Sequence, residues 1–449
     1  MTAVSCVEIP PDGPYWLKNI RLPLSLLDET VTYRAAIAAL AAPPFAEELI
    51  AADVAIDQGC IQAIAPVGTA SPDHPIVDGR QGLVWPCFVD MHTHLDKGHS
   101  WNRNPNPTGT FRGALDAILE DAAQHWTAED LYRRMDFGLR CSYAHGTKAL
   151  RTHFDAFGPM AATALSVIGR LQQEWAGRLE IQAVCLVSGD YYLTPEAEAL
   201  ADQVAEAGAI LGGVLYPNPD LHAQINRMFD LARDRQLTLD LHTDESLDPE
   251  EMSLRYVAEA KLRQDFAGEV VCGHCCTLSV QAPEVMAETL RLVKAAAIAI
   301  VSLPMCNLYL QDRQPHRTPR YRGPTVIHEL AQQGIPVAIA SDNCRDPFYA
   351  YGDHDGLEVF TQAVRIGHLD RPVGAWAKTI TQTPADLMGL PHAGRLGLGQ
   401  PADLVIFKAR TFNELLSRPQ SDRVVVRQGR AIDTTLPDYA ELDDVVGLA

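Results

Sequence analysis

From residue 83 to about residue 390 the chain alternates short apolar runs with longer amphipathic stretches. The runs cover 83–94, 147–155, 179–187, 210–216, 237–245, 269–276, 297–307 and 336–343. Between them, stretches such as 127–145, 161–176, 195–207, 222–235, 254–266, 281–295 and 324–333 carry apolar residues at helical spacing. A continuous apolar run fits a strand buried on both faces, and an intervening helix of this length carries the chain back to start the next strand in the same direction. Eight such β-then-α units predict an α/β fold, a (β/α)8 TIM barrel. An open doubly wound sheet is the alternative.

The ends of the chain have a different texture. Residues 17–22 and 52–64 read as strands, the second broken by the hairpin turn Asp57-Gln58-Gly59, and 402–407 and 423–426 read as strands with a turn at Gln428-Gly429-Arg430. Neither end has a core of its own, so the two are expected to join in a small β-sandwich. The expected organisation is 1–82 and 394–449 as the two parts of that sandwich and 83–393 as the catalytic barrel. An Ala-rich piece at 33–42 takes no assignment from its pattern.

In a (β/α)8 barrel the chemistry sits at the C-terminal ends of the strands. The first run ends in His92-Thr93-His94, the second in His153-Phe154-Asp155, the fifth in His242-Thr243-Asp244-Glu245, the sixth at His274, the seventh at Asn307 and the eighth at Asp342. Any one of these is no more than a polar loop residue, but six in register with the strands mark a site. Residues i and i+2 of a strand share a face, so His92 and His94 point the same way. With His242 and the carboxylate of Asp342 they suit one divalent metal ion, Zn2+ or Fe2+, with a position left for a water whose pKa falls toward about 7. Glu245, three residues past His242, is placed to carry a proton, and His274 to stabilise charge on the attacked atom or orient the nucleophile.

Composition narrows the partners. With 37 Lys+Arg against 57 Asp+Glu the formal charge is −20, which repels phosphate backbones and anionic membranes, so neither nucleic acid nor a membrane is an expected partner. A small molecule is. No basic leader with an apolar core and no apolar run long enough to span a bilayer is seen, so a cytoplasmic location is expected. Homo-oligomerisation stays open. Cysteines such as Cys87, Cys185 and Cys306 lie inside apolar runs and are expected to be free and buried. Cys272-Gly273-His274-Cys275 copies the spacing of a redox motif, but it ends a strand-like run rather than opening a helix, which argues against a reactive thiol.

These pieces together resemble the amidohydrolase superfamily, and within it the cytosine deaminase branch, with N-isopropylammelide amidohydrolase as a further similar family. The resemblance rests on Phe88-Val89-Asp90-Met91-His92-Thr93-His94-Leu95-Asp96-Lys97, Arg151-Thr152-His153-Phe154-Asp155, His242-Thr243-Asp244-Glu245, Gly273-His274, the 304–311 segment, Arg322-Gly323, Ser341-Asp342-Asn343 and Asp346-Pro347-Phe348-Tyr349. It implies hydrolytic removal of ammonia or an amine from a nitrogen heterocycle. His92, His94, His242 and Asp342 correspond to metal ligands, Glu245 to the proton shuttle at the ring nitrogen and His274 to the catalytic histidine. By the same resemblance Asp342 is also catalytic, taking a proton from the nucleophile and passing it to the leaving amine.

The departures bear on substrate. The branch carries a glutamine after the third strand that grips the pyrimidine edge, where this chain has Leu186-Val187-Ser188-Gly189-Asp190, and Asn343 follows the metal aspartate in place of a second aspartate. Losing a polar grip argues against assuming cytosine itself. Ser188, Asp190, Asn343, Phe348 and Lys97 are the candidate substrate contacts. The run 210–216 lacks the lysine through which many relatives hold a second metal, which favours one ion. The alternative function is a hydrolase opening a cyclic amide or imide with the same metal. A non-catalytic barrel would need neither Glu245 nor His274, and the zinc deaminases with a Pro-Cys-x-x-Cys signature are excluded because that signature is absent.

Overall fold

Eight parallel strands form the central sheet of the computed structural model, which describes residues 7–31, 48–158 and 160–447. Five strands come first in the chain: β1 (Tyr15–Pro23), β2 (Leu49–Asp57), β3 (Cys60–Ala65), β4 (Ile76–Asp78) and β5 (Val84–Pro86). The eight barrel strands are β6 (Phe88–Thr93), β7 (Thr147–Asp155), β8 (Glu180–Ser188), β9 (Ile210–Val214), β10 (Leu239–Thr243), β11 (Val270–His274), β12 (Ala299–Ser302) and β13 (Val337–Ile339). They neighbour one another in chain order, and a parallel bridge between Thr93 and Asp342 closes the ring. Helices such as Ala128–His145, Met160–Trp175 and Leu221–Arg235 make the crossovers. The expected barrel is present, with all eight runs contributing a strand.

Two four-stranded sheets stand apart from the barrel sheet, in the orders β3-β2-β1-β4 and β16-β15-β14-β5, where β14 is Leu404–Ile406, β15 is Val424–Arg427 and β16 is Arg430–Ala431. The first expected run therefore splits. Val84–Pro86 pairs antiparallel with β14, and the barrel strand begins only at Phe88, because Cys87 donates its N–H to Asp403 outside any strand. The Ala-rich piece at 33–42 lies outside the described residues.

The chain divides into two units, one comprising the described parts of 1–90, 140–149 and 355–436, the other 91–139, 150–354 and 437–447. This division cuts across the expected boundaries at 82/83 and 393/394. Strand pattern marks where a strand begins, whereas side-chain ties decide what it packs with: Arg427 donates to the backbone oxygen of Thr147, and Arg423 to that of His145. All eight barrel strands fall within 83–393, which we keep as the proposed span of the catalytic barrel.

In the first unit, Asp355 makes hydrogen bonds of 2.6 and 2.7 Å with the buried Arg423 guanidinium. Burial alone would push the Asp355 carboxyl up; the Arg423 guanidinium and His145 outweigh it and hold the carboxyl below its ordinary value. A lowered folded pKa contributes stability above the unfolded pKa, about 3.9 for Asp, and that contribution is lost as pH falls through the folded value. Asp355→Asn is expected to cost about 3–5 kcal/mol at neutral pH, a deficit that narrows in acid. Urea unfolding at neutral and acid pH measures both, and equal stability of variant and wild type at neutral pH would refute the pair's role.

Candidate active site

Two strand ends, those of β6 and β10, and the loop after β13 bring the four expected ligands together. Asp342 Oδ1 lies 3.3 Å from His94 Nε2 and 3.6 Å from His92 Nε2, and His242 Nε2 lies 3.4 Å from His94 Nε2. All four residues are buried. Burial, reinforced by neighbouring cationic groups, pushes the three imidazoles well below their ordinary range and so favours the neutral, ligating form. Both ring nitrogens of His92 and Nδ1 of His242 are buried without a hydrogen-bond partner. Orphaned buried nitrogens are costly, and a cation beside His92 Nε2 would relieve the share of that cost that falls on this nitrogen. Three nitrogens and one carboxylate fit a divalent metal ion.

The backbone is turned sharply to achieve this. Asp244, His274 and Asp342 all take left-handed conformations, with φ of 51°, 69° and 64°, which few non-glycine residues adopt and which local structure must hold in place. The Asp244 carboxylate is fixed by the N–H groups of Ser253 and Leu254 at 2.7 and 3.2 Å. Asp342 donates its N–H to the His92 oxygen at 2.8 Å and accepts from Thr93 Oγ1 at 2.9 Å. Gly273 is required by close approach, since a Cβ there would sit 3.0 Å from His92 Cε1. On its other side His92 stacks on His153, with centroids 3.9 Å apart.

Beside the cluster, Glu245 Oε1 lies 3.3 Å from His274 Nδ1, and the Asn307 amide donates to the same nitrogen at 3.0 Å. Burial, then the Asp342 charge, pushes the Glu245 carboxyl well up, which favours its protonated form. Asn307 does not end the seventh strand as expected: β12 stops at Ser302, and Pro304, at home in a first helical turn, opens the helix Pro304–Leu310 that presents the amide.

A cavity of about 240 Å³ opens from these groups. His94, His242, Glu245, His274 and Asp342 line it together with Lys97, Asp155, Ser188, Asn343 and Phe348. Lys97 Nζ is 2.9 Å from Asp155 Oδ1, 3.2 Å from His94 Nδ1 and 5.7 Å from the centre of the Phe348 ring. The Asn343 amide donates to Asp346 at 2.7 Å, and Asp346 also accepts from the N–H groups of Phe348 and Tyr349. Asp190, expected beside the substrate, does not line the cavity. The short turn Gly189–Leu193 carries it to the surface, where it accepts from Ser188 Oγ.

The apolar wall went unread in the sequence. Phe111, Leu115, Ile118 and Leu119 line the cavity from the helix Phe111–His125, capped by Thr110, which accepts from the Gly113 N–H. Their spacing of i, i+4, i+7 and i+8 was the available signal. Phe157, Leu186, Val187, Val214 and Tyr216 complete the wall, and Asp155, expected at a strand end but given no role there, is a further polar lining residue.

The amidohydrolase family model matches residues 160–435. The chain is 50% identical over 405 residues, covering 90% of this chain and 93% of the other, to a pterin deaminase from Rhizobium rhizogenes. It is 24% identical over 366 residues to an N-isopropylammelide isopropyl amidohydrolase from a Pseudomonas species, covering 79% and 87% of the two chains. Its fold is similar to that of 5-methylcytosine deaminase from Klebsiella pneumoniae liganded with 5-fluorocytosine, with a TM-score of 0.77 and 24% identity, covering 95% and 98% of the two chains. No helix among the described residues is long and apolar enough to cross a membrane.

Proposed function

The chain belongs to the amidohydrolase family, and from that premise we propose that it is a metal-dependent deaminase that removes the exocyclic amine of a pterin-type ring as ammonia. The observation that carries this reading is the Glu245–His274 pair set against the His92, His94, His242 and Asp342 cluster in one cavity with aromatic walls. The pterin deaminase that is 50% identical supports the choice of ring.

The metal ligands in this reading are His92, His94, His242 and Asp342, a set suited equally to Zn2+ and Fe2+. When bound, the ion acidifies a water, bringing its pKa toward about 7. Phe111 and Phe348, edge to face with centroids 5.5 Å apart, bound the slot that receives the planar ring. Glu245, as the protonated carboxyl, delivers its proton to the ring nitrogen next to the amine-bearing carbon, which makes that carbon electrophilic. His274, held by Asn307 at Nδ1, offers Nε2–H to the attacking oxygen. Asp342 accepts the water's proton and passes it to the departing nitrogen. Water adds and ammonia leaves, and the proton on the newly bound hydroxyl returns to Glu245 as the amidine carbon becomes a ring carbonyl, so atoms and charge balance. Ser188, Asn343 and Lys97 are the polar groups left to read the far edge of the ring.

The test is ammonia release by metal-replete enzyme from pterin, cytosine and alkylaminated triazines side by side. Release from pterin at the highest kcat/KM is expected. No ammonia from any 2-amino-4-oxopteridine, with metal bound, would sink the proposal, and a ring-opened product would redirect it to cyclic amide hydrolysis.

A further inference from the structure

A second group of metal-ligating side chains lies in the same unit as the catalytic cluster and shares no residue with it. His99, Cys344 and His354 are all buried, and one ligand atom from each lies within 4.8 Å of the others. His99 has both ring nitrogens buried with no hydrogen-bond partner. Its ring sits edge-on to Phe137, with centroids 4.7 Å apart, and tilted against His354 at 5.6 Å. The site is built by its backbone. His99 and His354 take left-handed conformations with φ of 63° and 54°, the His99 N–H donates to the Cys344 oxygen at 3.2 Å, and Trp101 donates to Arg345 at 2.8 Å. Gly138 makes room, since a Cβ there would come within 3.0 Å of His354 Nε2.

We propose that His99, Cys344 and His354 hold a second metal ion, a borderline-soft cation of the Zn2+ type. Two imidazoles and one thiolate exclude Ca2+ and Mg2+, which take oxygen ligands. Zinc–nitrogen and zinc–sulfur bonds of about 2.0–2.1 and 2.3 Å put tetrahedral ligand atoms about 3.3–3.6 Å apart, inside the 4.8 Å within which these three atoms already lie. Burial, then His354, Arg345 and Arg134, push the His99 imidazole well below its ordinary range, which favours the neutral form that ligates. Cys344 gives up its thiol proton to solvent on binding, so uptake releases one proton. The ion would tie the segment after β6, which carries His94 and Lys97, to the segment after β13, which carries Asp342, Asn343 and Phe348. Its role is therefore to fix two walls of the catalytic cavity without touching substrate.

The full chain, stripped with chelator and dialysed against Zn2+ alone, is expected to bind two equivalents. His242→Ala is expected to keep one, as are His99→Ala and Cys344→Ser. Loading with Co2+ separates the sites by colour: a thiolate-to-metal charge-transfer band should appear in wild type and in His242→Ala, since the catalytic set has no sulfur, and should vanish in Cys344→Ser. One equivalent in wild type, or a band that survives Cys344→Ser, would overturn the proposal. Should Cys344→Ser not fold, the stoichiometry of wild type and the band in His242→Ala against His99→Ala decide it.

Discussion

Glu245→Gln is expected to retain its catalytic metal and to lose turnover by at least about 10²–10⁴-fold. Glu245 is half-buried at the cavity wall, with Oε1 3.3 Å from His274 Nδ1, in a setting that pushes its carboxyl well up through desolvation and the Asp342 charge. The amide keeps the size and much of the hydrogen bonding and cannot deliver a proton. Because Glu245 is not one of the four proposed ligands, metal content should stay at the wild-type level. The loss should fall on kcat more than on KM, since the proton moves only as the transition state forms. Steady-state kinetics on pterin with elemental analysis of the same sample check both halves. Near wild-type turnover would remove Glu245 from the mechanism, and lost metal would make it a ligand.

His242→Ala should abolish both the catalytic ion and activity. Removing one nitrogen leaves His92, His94 and Asp342, a set with a gap where His242 Nε2 stands 3.4 Å from His94 Nε2. An ion held by three groups on one side is open to water and exchange, and even loss of a supporting partner typically costs 10–100-fold in affinity; loss of a ligand costs more. Added Zn2+ in excess should restore little turnover, because the water's position as well as the ion's depends on the fourth ligand. Full occupancy and activity in this variant would refute the ligand set.

The barrel and the meeting of His92, His94, His242 and Asp342 were legible because both depend on period and placement. Thr147–Asp155 coincides with its apolar run, and His92, His94, His242 and Asp342 stand at the strand ends the fold requires. What was not legible depended on who packs with whom. Val84–Pro86 is as apolar as the strand that follows it, yet it pairs with Leu404–Ile406, more than three hundred residues away. Asn307 lay in an apolar run that reads as strand until Pro304 is given its meaning as a helix start. Asp190 stands two residues past Ser188, which lines the cavity, a difference decided by the turn Gly189–Leu193. Phe111 to Leu119 carried a helical period inside a stretch that the alternation of runs left as a connection.

The bridge between Thr93 and Asp342 also sets an order of events during folding. The two residues stand 249 positions apart, and the entropy of bringing such distant segments together must be met before any contact between them is gained. His92 and His94 lie on one side of that junction and Asp342 on the other, so a growing chain carries the histidines long before it owns their carboxylate. An ion that needs all four proposed ligands is therefore held in full only once that junction has formed, and part of its affinity is drawn from work the polypeptide has already done.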